Sequence, residues 1–311
     1  MVMQEIATDR NQKELRAHGT FEFPIAVYKR QPRNSVLGYV NWHWHDEMQF
    51  CLVTAGSVTV FLNQRSVTLT KGQGMFINVG VLHMIKDLRG CETEPGEYVC
   101  VVISRRILTA FPNSIMDRKY VKPIVKTGNP GYLVFDGKEG WHRKILDGVL
   151  HAYREFEKKE YGYEMEICGQ LMLVWKQMVT GFSGSVHDDG GRGVDHIREQ
   201  RLRDIVEYIG KHYEEKISLE DVAGSVHLSV NECCRFFKRS MNCTIVEYIT
   251  EFRLGKSIEM LNTSDLTVGQ IACDCGFGTS SYYIDKFKKK MGMTPGEFRR
   301  ASEEAGGSGI N

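Results

Sequence analysis

Residues 271–300, IACDCGFGTSSYYIDKFKKKMGMTPGEFRR, decide the fold, because an earlier stretch of the chain repeats their pattern. That stretch is residues 222–248, VAGSVHLSVNECCRFFKRSMNCTIVEY. Phe237 of the first copy matches Phe287 of the second at an offset of 50 residues. Each copy predicts a short helix, a tight turn and a second helix, the order of a helix-turn-helix unit.

The starts and ends of these helices are marked by residues that satisfy free backbone groups. Helix-starting residues, each with a polar partner three positions later, are Ser218 with Asp221, Thr244 with Glu247, Thr267 with Gln270, and Thr294 with Glu297. Asn242 and Gly292 are suited to the left-handed conformation that ends a helix. Between the copies, the apolar spacing predicts a long helix that joins the two units.

The second helix of each unit has one apolar and one polar face. Cys233, Phe236 and Phe237 in the first copy, and Tyr283 and Phe287 in the second, are expected in the core. The opposite faces would meet a DNA groove, with Arg239 and Lys289 near the helix ends where phosphates pass. The outward residues are Asn231, Cys234, Arg235 and Lys238 in the first copy, and Ser280, Ser281, Ile284 and Lys288 in the second.

The overall charge does not indicate a nucleic-acid partner, so the evidence has to come from where the charged residues lie. The net charge of the chain is +1, and residues 195–300 contain as many basic as acidic residues. Acidic residues gather in the first predicted helices of this region, whereas 286–290 is four lysines around one phenylalanine. This segregation favours a basic DNA-facing side, although a solvated basic face is the alternative for an isolated helix.

Residues 200–300 resemble the DNA-binding domain of the AraC/XylS family of bacterial transcription regulators. The resemblance implies that both second helices enter successive major-groove faces of double-stranded promoter DNA, about one helical turn apart. Asp285 departs from the family pattern, since a basic residue is frequent there, and it aligns with Arg235 of the first copy. A carboxylate repels phosphate but can accept a hydrogen bond from cytosine. We therefore expect the first unit to read bases and the second to hold phosphates.

The N-terminal half predicts an all-β domain over residues 21–104, followed by two amphipathic helices. Runs such as MQFCLVT, SVTVFL and EYVCVVI recur between turn residues. Apolar stripes at helical spacing follow, and they either pack on the β-domain or form a dimer seam. The stripes are Trp141, Ile145, Val149, Tyr153 and Phe156, and then Ile167, Leu171, Val174, Trp175 and Met178.

A histidine group is predicted in the β-domain. Alternation along one strand would place His43, His45 and Gln49 on the same face, with His83 two strands later. The pattern resembles the cupin barrel, whose metal-binding members use two histidines, a carboxylate and a later histidine. Glutamine replaces the carboxylate here, and amide oxygen is a poorer metal ligand. The resemblance implies that these residues bind a small-molecule effector, such as a sugar, without metal or another cofactor. Three imidazoles alone can hold zinc or iron, and histidines satisfied by their neighbours are the third possibility.

These features predict a multidomain α+β protein: a cupin-like β-barrel with two following helices, and then an all-α double helix-turn-helix domain. The expected segments are an N-terminal arm (1–20), an effector-binding domain (21–138), a helical dimerisation segment (139–180), a linker (181–195), the DNA-binding domain (196–300) and a disordered tail (301–311). The arm closes over the effector, as in some relatives, or is a disordered leader.

The predicted function is a cytoplasmic, non-enzymatic transcription regulator whose promoter binding responds to a small-molecule effector. No secretory signal or membrane span is predicted. A homodimer is expected, with RNA polymerase as a further partner if the protein activates. One alternative is a metal-dependent cupin enzyme or metal sensor, with His43, His45 and His83 as ligands and a helical DNA-binding appendage. Another is a DNA-binding protein that takes no small ligand.

Overall fold

A computed structural model describes residues 6–62, 65–87, 94–127, 130–183 and 192–307. The chain divides into two compact units, with the boundary at Arg192 and Gly193 inside the predicted linker of 181–195. Helices occupy both ends of that segment, up to Ser183 and from Arg192 onward, so the linker prediction is too long. Its centre, 184–191, lies outside the described residues. None of the helices in the described ranges combines the length and the apolar character needed to cross a bilayer.

The N-terminal unit contains two antiparallel sheets. One sheet has the strand order β1-β8-β3-β6-β9 and the other β2-β7-β4-β5. Within the described ranges neither sheet closes on itself, so the predicted barrel is two sheets that share a core. The strands are β1 (Ile25–Arg30), β2 (Tyr39–His43), β3 (Met48–Ala55), β4 (Ser57–Leu62), β5 (Arg65–Thr70), β6 (Gly74–Ile77), β7 (His83–Asp87), β8 (Glu97–Ile103) and β9 (Tyr132–Phe135).

The segment between β8 and β9 is mostly helical and then returns to the sheet. Its helices are α1 (Arg106–Thr109), a π-helical turn (Asp117–Val121) and α2 (Lys122–Thr127). Strand β9 pairs with β6 at the edge of the five-stranded sheet. The all-β prediction ended at residue 104 and therefore missed this last strand.

Alternating side chains of the five-stranded sheet build two cores. On β3, Cys51 and Val53 face the other sheet, whereas Phe50 and Leu52 face helices α3 (Gly140–Lys158) and α4 (Tyr163–Ser183). The predicted apolar stripes pack into the helix-side core, with their central residues, Ile145, Val149, Ile167, Leu171, Val174, Trp175 and Met178, fully buried. The alternative that one of these stripes forms a dimer seam is therefore wrong.

The C-terminal unit is all helical, as predicted. Its helices are α5 (Arg192–His212), α6 (Leu219–Ser225), α7 (Val230–Met241), α8 (Ile245–Thr263), α9 (Val268–Asp274), α10 (Ser280–Met291) and α11 (Pro295–Gly307). Helix α11 continues past residue 300, so the predicted disordered tail is wrong for 301–307. Residues 308–311 lie outside the described residues.

The predicted helix boundaries are confirmed by hydrogen bonds. At the start of α8, the Glu247 amide donates to Thr244 Oγ1 at 3.2 Å and the Thr244 amide donates to Glu247 Oε2 at 2.7 Å. The other three predicted pairs make the same reciprocal bonds. Asn242 and Gly292 end α7 and α10 with φ values of 55° and 78°. Their left-handed backbone is the conformation expected of a helix stop.

Each helix-turn-helix unit is tied by an arginine from the helix that follows it. Arg253 of α8 donates to the carbonyl oxygens of Tyr213 and Glu215, at 2.8 and 2.6 Å, ahead of α6. In the second unit, Arg299 of α11 donates to the carbonyl oxygens of Leu261 and Leu266, at 3.4 and 2.7 Å, ahead of α9. The repeat seen in the sequence therefore extends to the bonds that hold each unit together.

Buried aromatic rings set the orientation of the second helices. Phe237 of α7 lies 5.4 Å from the Tyr248 ring of α8, and Phe287 of α10 lies 5.6 Å from the Phe298 ring of α11, between ring centroids. Both phenylalanines are 0% exposed. The faces opposite to them must therefore point out of the unit.

Replacement of Phe237 by Ala should lower the stability of the first unit by about 3–5 kcal/mol, because it leaves a cavity in a closed core. Val246→Ala is the matched control, since Val246 is 55% exposed and should change stability by no more than about 0.5 kcal/mol. Amide hydrogen exchange across α7 and α8 measures both effects in the whole chain. Equal protection in the two variants would contradict the core assigned here.

Candidate DNA-binding surface and histidine cluster

Helix α7 presents polar and basic side chains on the side opposite Phe237. The predicted outward residues are exposed except for the half-buried Cys234, and these are Asn231, Arg235, Lys238 and Arg239. Arg235 Nε donates to the Asn231 carbonyl oxygen at 3.3 Å, which holds the arginine along the first turns of the helix. The outward face thus combines an arginine and an asparagine, the side chains suited to paired hydrogen bonds with guanine and adenine.

Helix α10 has a different outward face. Its predicted outward residues Ser280, Ser281, Lys288 and Lys289 are exposed, and Ile284 is half-buried. Lys290 Nζ donates to Glu251 Oε1 at 2.9 Å, and Lys286 Nζ lies 5.1 Å from the centre of the Tyr282 ring. Of the four lysines in 286–290, Lys288 and Lys289 are the exposed ones, and they stand in the last turn of the helix.

Asp285 occupies in α10 the position that Arg235 occupies in α7. Each is the sixth residue of its helix, and both are exposed. The middle of the α10 face is therefore acidic, with its lysines displaced towards the helix end. Tyr282, which is 43% exposed on this helix, was not among the predicted outward residues. It was missed because an aromatic residue beside the buried Tyr283 is typical of a core.

The structure brings His43, His45, His83 and Gln49 together, although the prediction of a single strand was wrong. Strand β2 ends at His43 and β3 begins at Met48, so His45 lies in the connection between them. Pairing of β2 with β7 sets His43 opposite His83. One ligand atom from each of the three rings lies within 4.8 Å of the others. Gln49 Oε1 lies 3.2 Å from His45 Nε2.

The three rings are held by the backbone in the same way. A carbonyl oxygen only accepts hydrogen bonds, so a ring nitrogen beside one carries the proton. Each Nδ1 therefore donates to a carbonyl two residues away, which leaves the Nε2 of a neutral ring as an acceptor. His45 Nε2 then faces a second acceptor, Gln49 Oε1, so these two atoms make no hydrogen bond with each other. The bonds are His43 Nδ1 to Asn41 O at 2.7 Å, His45 Nδ1 to Glu47 O at 3.0 Å, and His83 Nδ1 to Val81 O at 2.8 Å.

Burial keeps these rings neutral. It lowers the pKa of His45 to about 4, with His18 adding to the effect, and the pKa of His83 to about 3, with His45 adding to it. Burial and then the neighbouring His83 hold the pKa of His43 well below its usual range. A buried charged form would lose its hydration, so the uncharged ring is favoured at neutral pH.

The N-terminal segment supplies residues to this site that the sequence analysis did not assign to it. Residues 13–18 lie beside the cluster, where the Glu14 amide donates to the Trp44 carbonyl oxygen at 2.9 Å. His18 bridges Glu14 Oε2 and the Tyr28 hydroxyl, each at 3.1 Å. The prediction of a disordered leader is therefore wrong for this segment. A polar stretch without periodicity carries no signal for such contacts, so they could not be predicted from the sequence.

A small cavity lies between this segment and the histidines. It is lined by Glu14, His18, Tyr28, Arg30, His43 and Gln49 among polar residues, with Val40, Ile85, Tyr98, Cys100 and Val102 as part of its wall. The free space is comparable to a single water molecule. In this conformation the cavity does not admit a ligand as large as a sugar ring.

The two domain types are also found by comparison with known protein families. Residues 222–301 match the model of a helix-turn-helix domain, and residues 29–86 match that of an AraC-like ligand-binding domain. The class is therefore a DNA-binding transcription regulator with a ligand-binding N-terminal domain. This confirms the predicted fold class and the two predicted halves of the function.

Relatives identify the family. The chain is 34% identical over 302 residues, 96% of its length and 99% of the relative's, to the uncharacterized HTH-type transcriptional regulator YdeC of Bacillus subtilis (strain 168). It is 21% identical over 267 residues, 84% of each chain, to the melibiose operon regulatory protein of Escherichia coli (strain K12). The chain belongs to the AraC family of transcription regulators, whose members bind DNA and small-molecule effectors. The prediction that it is not an enzyme is confirmed by these relatives.

A solved structure is also similar to a part of this chain. It is the DNA-binding domain of AdpA in complex with a target DNA, 23% identical, with a TM-score of 0.33 over 34% of this chain and 95% of that one.

Proposed function

We propose that the chain binds promoter DNA as a homodimer in the cytoplasm, with helix α7 reading bases and helix α10 holding phosphates. The observation that carries this proposal is the contrast between matching positions of the two outward faces. Arg235 and Asn231 are exposed on α7, whereas α10 has Asp285 in the middle and Lys288 and Lys289 at its end. Where the protein activates transcription, RNA polymerase is its further partner.

The length of α8 supports docking of both units on one face of the duplex. Its 19 residues span about 28 Å at 1.5 Å per residue. Successive major-groove faces on one side of DNA lie about 34 Å apart. A helix of this length can therefore hold α7 and α10 for neighbouring groove segments.

Replacement of Arg235 by Ala should cost about 1–3 kcal/mol on the preferred duplex and relax the choice of base at one position, because a paired hydrogen bond to a base edge is lost. Lys288→Ala should weaken binding to all sequences alike. It should also lower the slope of log affinity against log salt concentration by about one, because one phosphate contact is lost. Fluorescence titrations at several salt concentrations, on specific and random duplexes, measure both quantities.

Lys211→Ala is the control, because Lys211 is a basic residue that pairs with Glu207 within α5 and belongs to neither second helix. The proposed roles of α7 and α10 are contradicted if Arg235→Ala weakens binding to specific and to random duplexes equally. The proposal of sequence-specific DNA binding is contradicted if the unmodified chain shows no preference for any DNA sequence.

The effector is proposed to act at the cavity lined by His43 and Gln49, next to the predicted effector residues His45 and His83. A sugar is one candidate, supported by the likeness to a melibiose operon regulator, but the cavity has no room for a sugar while residues 13–18 cover it. Binding of such a ligand would have to displace this segment. Preference of the ligand for the opened conformation would then shift the population of DNA-binding states.

The proposed dimer has an available surface on α4. Met165 is 81% exposed and Leu173 is 53% exposed, two turns apart on the side away from the core. Gly169 lies between them, and no described atom lies within 4 Å of where its Cβ would be. Two apolar side chains flanking a glycine allow a second helix to approach closely.

Leu173→Glu should weaken self-association at least tenfold, because a carboxylate would be buried in an apolar contact. Sedimentation velocity over a range of protein concentrations measures this. Lys144→Glu, at an exposed position of α3, is the control and should leave association unchanged. The α4 surface is the wrong one if Leu173→Glu associates as the unmodified chain does.

A further inference from the structure

The buried Nε2 atom of His83 indicates a ligand, because it lacks a hydrogen-bond partner in the described part of the chain. His83 is 0% exposed, and its Nε2 has no hydrogen-bond partner among the described residues. A buried nitrogen that only accepts, and accepts nothing, costs free energy in the folded protein. The same is true of one carboxylate oxygen of Glu14, Oε1, which is buried without a partner in the described part of the chain.

The neighbouring rings point to the kind of ligand. His43, His45 and His83 bring ligand atoms within 4.8 Å of one another. Their Nδ1 atoms are all engaged by backbone carbonyl oxygens. Metal-binding histidines show this arrangement, in which one nitrogen donates to the protein and fixes the ring so that the other faces the ion. With each Nδ1 donating, the three Nε2 atoms are acceptors, and His45 Nε2 in addition faces the acceptor Gln49 Oε1 at 3.2 Å. A cation among these atoms would relieve the opposition of electron pairs.

The chemistry of the donor atoms limits which metal ions fit the site. Three imidazole nitrogens suit zinc and similar divalent transition metals, whereas calcium and magnesium require oxygen ligands. The separation of the ligand atoms also fits a shared ion, since one atom from each ring lies within 4.8 Å of the others. A site of three histidines leaves a coordination position open.

Glu14 lines the same small cavity as His43, beside the three rings. It lies outside the set of groups whose ligand atoms fall within 4.8 Å of one another, so it is too far to act as a direct ligand together with all three rings. Its unpartnered Oε1 can instead accept a hydrogen bond from a water on the ion. Such a bond would tie the N-terminal segment to the metal.

We propose that His43, His45 and His83 bind one divalent transition-metal ion of the zinc class through their Nε2 atoms, and that Glu14 couples the bound ion to residues 13–18. The site deepens the proposed function, because the ion then sets how firmly the N-terminal segment covers the effector cavity. Gln49 stands beside His45 and leaves the three nitrogens as the ligands.

Cobalt titration of the full chain, purified without a polyhistidine tag and treated with a chelator, tests the site. We expect one equivalent of Co²⁺ with visible absorption of a low-coordinate nitrogen site, displaced by Zn²⁺. His83→Gln should weaken binding at least about 100-fold, because a direct ligand is lost. His151→Gln, at a half-buried histidine of α3 that pairs with Glu166, is the control and should bind as the unmodified chain does. Absence of a stoichiometric complex, or binding unchanged in His83→Gln, overturns the proposal.

Two measurements on the folded protein remain decisive if His83→Gln does not fold. Nitrogen-15 spectra of the unmodified chain should show three histidine Nε2 signals shifting on addition of Zn²⁺ while the Nδ1 protons persist. Hydrogen exchange of residues 13–18 should slow with Zn²⁺ in the unmodified chain, and slow less in Glu14→Gln at equal metal content. Unshifted Nε2 signals overturn the metal site, and equal slowing in Glu14→Gln overturns the coupling.

Binding to a selected duplex, measured on the chelated and zinc-loaded preparations, separates this inference from the proposed function. Loss of specific binding in both preparations contradicts the regulator and leaves the metal site standing. Specific binding by a chain that takes up no metal contradicts the metal site and leaves the regulator standing.

Discussion

Burial of Phe237 and Phe287 is the constraint on which the DNA-binding unit depends. Each ring fills the centre of its unit and thereby fixes the rotation of its helix about the helix axis. Because side chains three and four positions apart share a helix face, this one anchor determines which residues point outward. Arg253 and Arg299 then hold each unit closed through backbone carbonyl oxygens. The outward faces are a consequence of the buried ones, so the polar residues there are free to differ between the two copies.

This dependence explains why the C-terminal unit could be predicted from the sequence. Helix starts are decided locally, by residues such as Thr244 that bond to a backbone amide three positions away. The repeat gave each boundary signal twice, since in both copies the second helix ends at a residue in the left-handed conformation. Pairing of Lys290 with Glu251 could not be predicted, because it joins positions 39 residues apart through side chains alone.

The histidine site shows where local patterns fail. The resemblance to the cupin barrel placed His43, His45 and His83 in one group, but the expected alternation of His43 and His45 along a single strand was wrong. Their proximity comes from the pairing of β2 with β7 and from the connection that carries His45. The part played by Glu14 and His18 depends on a segment with no periodic pattern, held by the Trp44 carbonyl oxygen and the Tyr28 hydroxyl. Contacts of this kind depend on the whole fold, so they cannot be predicted from a short stretch of sequence.

The two halves of the molecule use the same physical means, a buried arrangement that fixes where polar atoms point. In the β-domain, backbone carbonyls orient three imidazoles; in the helical domain, buried phenylalanines orient Arg235 and Lys288. The central claim is that α7 reads bases while α10 holds phosphates. A crystal structure of the chain on its selected duplex tests this most directly. We expect the Arg235 guanidinium about 3 Å from a base edge and the Lys288 ammonium on a phosphate oxygen. Arg235 on a phosphate, with α10 side chains making the base contacts, would contradict it.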